Sequence, residues 1–299
     1  NWTRSARTPE EAWSRNLTIL LTAIFIEEIG WSLTGPFLPL YIRELGIPDP
    51  KKAALWAGLV IAASLAISSA MTPVWAALAD RFGSKLILLR ALAALAVTNV
   101  AVGLVGDVQQ ILMVRLASSL FTGLVPLSYA LITSSAPQAT LAQSVARLQT
   151  VTIVAASLGP LIGGMMVDRI GLRPGYFYAA ALCVCGFLLV LLVFHNPERT
   201  ESAPAARSQK GGLREAILAL LPFVVVLFLV QSIERSFQPL IPVYVEELGG
   251  AAKGGVGFWS GLTVSLGGAA MVIAANAMAR LSRYYSPVRL LSIALAGGA

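Results

Sequence analysis

The sequence predicts an all-α membrane protein made of two six-helix halves related by a parallel repeat, with the second half truncated within its third helix. Three observations predict this. The chain is 57% hydrophobic and only 12% charged, against about 25% charged residues in soluble domains, so it lacks the polar residues to cover a water-soluble globule. Apolar runs long enough to cross ~30 Å of hydrocarbon recur along it, separated by short gaps of turn formers and charges. The first of these runs also returns as the seventh, at a shift of 203 residues.

Eight runs qualify as spans: about 17–42, 54–79, 84–105, 108–136, 142–167, 174–194, 214–245 and 255–281, with a ninth beginning near 287. Most gaps are tight, such as "GIPDPKK", "DRFGSK" and "VDRIGLRPG". Residues 195–213, "HNPERTESAPAARSQKGGL", are long, polar and without period, which reads as a linker. The expected organisation is a first half at 1–194, a cytoplasmic linker at 195–213 and a second half at 214–299. Each complete unit has six spans, so both halves enter from the same side, and a full second unit would take such a chain to roughly 400 residues and twelve spans.

The net charge of +7 is explained by topology. With the N-terminus in the cytoplasm, 14 of the 22 Lys and Arg fall in inside segments and six in outside loops, as the positive-inside rule requires. The charge therefore argues for a multi-pass cell-membrane protein and gives no reason to expect nucleic acid. A monomer in the lipid bilayer is expected. Cys183 and Cys185, two apart on an apolar helix, point to different faces and suit packing. The one histidine, His195, cannot build a metal site alone. With no metal cluster and no Gly-x-Ser-x-Gly motif, neither a metal, a cofactor nor an enzyme is expected.

The repeat is ungapped. Residues 25–46, "FIEEIGWSLTGPFLPLYIRELG", align with 228–249, "FLVQSIERSFQPLIPVYVEELG". Phe25, Pro36, Pro39, Tyr41 and the Glu44-Leu45-Gly46 triplet find their counterparts, and the same shift carries Trp56 onto Trp259 and Gly58 onto Gly261. Two parallel halves place a substrate site between them near the bilayer midplane, reached by rocking one half against the other.

Glu27 and Glu28 are not copied in register, since Glu28 aligns with Gln231. Apolar surroundings and a neighbouring carboxylate both favour the protonated form of an acid, so the pair suits proton binding. Adjacent helical residues sit ~100° apart, so the two are expected to face different neighbours. The second half carries Glu234-Arg235 instead, either a structural ion pair or part of the coupling group. Arg115 lies within span four, where a charge is costly; it either faces the interior or snorkels to the surface. Trp31, Phe37 and Tyr41 are expected to line the cavity, with Gln149, Gln231 and Asn276 as polar contacts for a small-molecule substrate.

Three motifs carry a resemblance. "ALADRFGSK" places Asp80, Arg81, Gly83 and Lys85 at the turn after span two. "VRLASSLFTG" places Arg115 and Gly123 in span four, and "SLGPLIGG" places Gly159, Pro160, Gly163 and Gly164 in span five. Together they resemble the major facilitator superfamily, over nearly the whole chain, and within it the twelve-span drug:proton antiporters. Ala76, Ser84, Ser119, Leu148 and Ala155 stand where the family patterns have other residues. The resemblance implies a cytoplasmic latch at Asp80–Lys85, a proton-coupling role for Arg115 and an antiporter signature at Gly159–Gly164. It implies proton-gradient-driven efflux of small amphipathic or cationic compounds by alternating access. The alternative on the same fold is a proton-coupled importer of a nutrient or metabolite. "DRIGLRP" after span five echoes the Asp-Arg-x-Gly turn on the opposite side and is read as a structural turn.

Overall fold

In hydrocarbon a backbone polar group finds no water, so an apolar run must close its hydrogen bonds within itself, and here it does so as helix. A computed structural model describes residues 9–121, 123–194, 237–249 and 255–281. Among these residues there is no strand, and seven helical stretches are long and apolar enough to cross a membrane. They match six of the expected spans in the first half and the eighth. The seventh is described only from Phe237 onward, and the linker and ninth span lie outside the described residues.

Span one is α1 (Pro9–Thr34), a 3₁₀ turn (Gly35–Phe37) and α2 (Leu38–Glu44). Pro36 and Pro39 lack the N–H that a continuous helix needs, which tightens the chain there. The repeat is visible in the fold: a 3₁₀ turn at Gln238–Leu240 leads into α9 (Ile241–Glu247). Both copies close on a glycine of positive φ, Gly46 at 105° and Gly249 at 78°.

Spans two and three are α3 (Pro50–Phe82) and α4 (Ser84–Leu104), joined by Gly83 alone. Asp49 starts α3 by accepting from the Lys51 N–H at 2.9 Å. Span four is broken into α5 (Val108–Ser119) and α6 (Leu124–Ser135), a break the sequence reading did not anticipate. Gly123, at φ 113°, opens α6, and the Trp75 indole N–H donates to the Leu120 carbonyl at 2.7 Å. That bond satisfies an acceptor released by the break. The Arg90 guanidinium stacks 3.3 Å from the Trp75 ring centroid, where the flat cation and the ring face attract.

Spans five and six are α7 (Leu141–Ile170) and α8 (Leu172–Val193), again joined by one glycine, Gly171. Span eight is α10 (Val256–Leu281). Apart from a small cluster of Leu95, Ala96 and Cys183, the core of the first half forms two large apolar clusters. One, around Leu17, Leu20, Ile24, Leu88, Leu92 and Ile132, lies toward the N-terminal end. The other, around Phe37, Tyr41, Ile42, Val102, Ile111 and Tyr176, lies toward the end where span one finishes. As expected, Cys183 is buried and Cys185 exposed.

Candidate functional site

Glu27 and Glu28 sit inside the unbroken α1, about 10 Å before its end at Thr34 by helical rise. The ~100° between them sends them to different surroundings. Gly30, one turn on, packs on α8, where a Cβ would meet the Ala179 carbonyl at 3.5 Å and the Cys183 Sγ at 3.6 Å. Glu27 lies on that side, close to Cys183. Its Oε2 is enclosed and has no hydrogen-bond partner. Glu28 is half-buried and interacts elsewhere.

Trp31 is the next residue toward the break on the same flank of α1. Its ring lies under the Arg115 guanidinium at 4.8 Å. Arg115 does not snorkel: it is 4% exposed, with an enclosed Nε that lacks a partner. Beside it stands Tyr176, from α8, 1% exposed, whose hydroxyl interacts with the Arg115 guanidinium. A guanidinium, an indole and a phenol thus converge from α5, α1 and α8, with the Glu27 carboxyl one turn from the indole along α1. Each enclosed polar atom without a partner is costly in a low-dielectric interior, and such atoms inside a membrane bundle mark function more often than packing.

Two expected cavity residues are buried in the first half, where Phe37 also lines a small pocket with Thr34, Gly163 and Tyr176. Tyr41 is fully buried, donates its hydroxyl to the Val102 carbonyl at 2.8 Å and packs 5.1 Å from the Tyr176 ring. Phe37 is buried in the same cluster. Both hold α2 against α4 and α8, because the kink after Thr34 turns this stretch inward to the first half's own core. Gln149 is exposed and accepts from the Tyr129 hydroxyl at 2.5 Å. Gln231, Glu234 and Arg235 lie outside the described residues, as does the side chain of Asn276.

The turn after span two is a one-residue hinge at Gly83, with φ 87°, a left-handed conformation that glycine adopts without steric penalty. Asp80 and Arg81 occupy the last turn of α3, and the Arg81 guanidinium lies over the Phe82 ring at 5.3 Å. Lys85 lies in the first turn of α4 and is half-buried. The Asp80 side chain is outside the described residues.

The span-five motif is a two-sided packing surface. A Cβ on Gly159 or Gly163 would run into Ser32 or the Leu33 backbone of α1. On the other side, a Cβ on Gly164 would strike the Gly257 carbonyl of α10, and one on Gly261 the Pro160 carbonyl. Without hydrophobic drive between helices in lipid, such close backbone approach is what joins them. Gly164→Ala is therefore expected to lower the thermal midpoint of the detergent-solubilised intact protein by several degrees, from an overpacking penalty of about 1–3 kcal/mol. Gly267, whose Cβ direction is open, is the control; equal midpoints for Gly164→Ala and Gly267→Ala would show that the close approach does not exist in solution.

Three features were missed: Asp168, the Arg43–Glu246 pair and Tyr176. Asp168, at the end of α7, accepts from the Gly257 N–H at 2.9 Å and the Phe258 N–H at 2.6 Å. Its turn therefore does more than connect α7 to α8: it binds the other half. Arg43 forms an ion pair with Glu246, and these two occupy equivalent positions of the repeat. Tyr176 carried no motif. The signals were present for the first two, in the echoed Asp-Arg-x-Gly and in the opposite charges at one repeat position.

Comparison with known proteins agrees with the fold. Residues 20–299 match the family described as Major Facilitator Superfamily. The chain is 33% identical over 289 residues to "Multidrug resistance protein MdtG" of Enterobacter lignolyticus (strain SCF1), covering 95% of this chain and 68% of that protein. It is 34% identical over 288 residues to the protein of the same name from Citrobacter koseri, covering 95% and 70%. A bacterial homolog of the human lysosomal transporter Spinster, solved in an inward-facing, unoccupied conformation, superposes with TM-score 0.73 at 16% identity, over 94% of this chain and 65% of that one. Its inward-facing, occupied form gives TM-score 0.68 at 18% identity, over 94% and 63%. The chain thus spans less than two thirds of the length of those solved proteins.

Proposed function

Because the chain belongs to the Major Facilitator Superfamily, we propose that it acts in a proton-coupled exporter of small amphipathic or cationic compounds. The observation that carries this reading is the enclosed, unpartnered Oε2 of Glu27, one helical turn from Trp31, whose ring the buried Arg115 covers. The names of the relatives at 33–34% identity favour drug-like cargo.

The chemistry follows from charge balance. An ionised Glu27 would carry an enclosed charge one helical turn from Trp31, while the buried Arg115 cation rests on the Trp31 face. Proton binding at Glu27 therefore changes the charge of the cluster by one unit where the dielectric is low. Arriving cargo, particularly a cation, competes with the proton for the same carboxylate, which is the exchange an antiporter needs. The described contacts between the halves include the α2–α9 ion pair and the α7–α10 packing. On the charge-based orientation this end faces outward and the N-terminus lies in the cytoplasm, so this arrangement is the outward-closed member of an alternating pair.

The intact protein reconstituted in liposomes tests the reading. An imposed pH gradient is expected to drive accumulation of a fluorescent lipophilic cation against its own gradient. Accumulation that follows sodium and ignores pH would contradict it.

A further inference from the structure

Asp168 has no part in the coupling site, and its Asp-Arg-x-Gly turn was read as structural, yet it makes a built contact between the halves. Its two carboxylate oxygens accept from two successive N–H groups, Gly257 and Phe258, in the first turn of the 26-residue α10. The first N–H groups of a helix have no partner inside it, and they carry the positive end of its dipole. A carboxylate there serves as the cap. Here the cap is supplied by another helix, 89 residues earlier in the chain.

The receiving surface fits that carboxylate. A Cβ added at Gly255 or Gly257 would strike the Asp168 carboxylate itself, so glycine at both positions is what lets it reach the amides. The contact lies at the same end of the bundle as Arg43–Glu246. Two repeat-related residues can touch only close to the pseudo-twofold axis between the halves. One contact therefore marks the axis and the other the flank of the same seam, where the halves must part if this end opens.

We propose that Asp168 is an inter-half latch: its carboxylate, capping α10 from α7, holds this end closed, and opening requires the two to separate. The latch rests on the alternating-access reading above. Rotation of one half draws the Gly257 and Phe258 amides off the carboxylate and exposes both to water, so the closed state is favoured by as much as the cap contributes.

The test places spin labels at Glu44→Cys and Glu247→Cys, exposed and equivalent positions beside the seam, in the intact protein with its native cysteines removed. Two separations are expected in the wild-type background across pH and a lipophilic-cation substrate. Asp168→Asn is expected to lower the ratio of short to long separation roughly fivefold. Two populations that Asp168→Asn leaves unchanged would overturn the latch alone. A single separation under every condition would overturn the alternating-access reading, and the latch with it. If Asp168→Asn does not fold, hydrogen exchange in the unmodified protein decides: protected Gly257 and Phe258 amides support the latch, and exchange at the rate of an open peptide contradicts it.

Discussion

Glu27→Gln is expected to abolish transport driven by a pH gradient, with a fall of at least about tenfold, while substrate still equilibrates across the membrane down its own gradient. The amide keeps the shape of the side chain but cannot bind and release a proton. Its Oε2 position is enclosed and unpartnered, so a neutral group there avoids the cost of an isolated charge. For the same reason the variant folds, and its thermal midpoint stays within a few degrees of wild type or rises. Glu28→Gln is the internal comparison, because Glu28 lies ~100° round the helix. Flux through the intact protein in liposomes measures both. If Glu28→Gln uncouples transport and Glu27→Gln does not, the roles assigned to the two acids are reversed.

Arg115→Ala is expected to have a comparable effect for a different reason. The guanidinium is buried, sits over Trp31 and interacts with the Tyr176 hydroxyl. Removing it leaves a hole between α1, α5 and α8 and takes away the cation that rests on Trp31, one turn from Glu27. Breaking a buried charge constellation by deleting one member costs about 3–5 kcal/mol, so both stability and pH-driven flux fall. Arg115→Lys separates the two contributions. Lys keeps the charge but lacks the planar group that stacks on an indole, so it is expected to recover part of the stability and a small share of the coupling. Full coupling in Arg115→Lys would assign Arg115 the role of a simple positive charge, with no part for the Trp31 stack.

Much of this architecture was legible in the sequence because hydropathy in a bilayer is an unusually hard constraint. A run of about 20 apolar residues has one stable form there, and the ends of spans two, three, five and six fall within a few residues of expectation. The repeat was legible for a related reason. Pro36 and Pro239 impose the same backbone break, and the same 3₁₀ turn follows each time.

Orientation of side chains was less accessible. Phe37 and Tyr41 read as cavity aromatics, but the local bend at Gly35–Phe37 turns them into the core. The break in span four was hidden because Leu120–Gly123 is apolar on average, and hydropathy does not register the positive φ of Gly123. Arg115 was found by its charge within a span and by its motif, whereas Tyr176, its neighbour, is an ordinary aromatic in an apolar run until α8 is packed. Asp168 illustrates the remaining limit. Its turn chemistry was recognised, but the amides it serves belong to a helix that only the tertiary fold brings beside it.

The central claim is that cargo and a proton exchange at one carboxyl, Glu27. Proton release on adding a lipophilic cation to the purified intact protein in weakly buffered solution tests it most directly. About one proton is expected to be released for each cation bound by the wild type, and none by Glu27→Gln, which still binds the cation. Equal proton release from the two proteins would contradict the account.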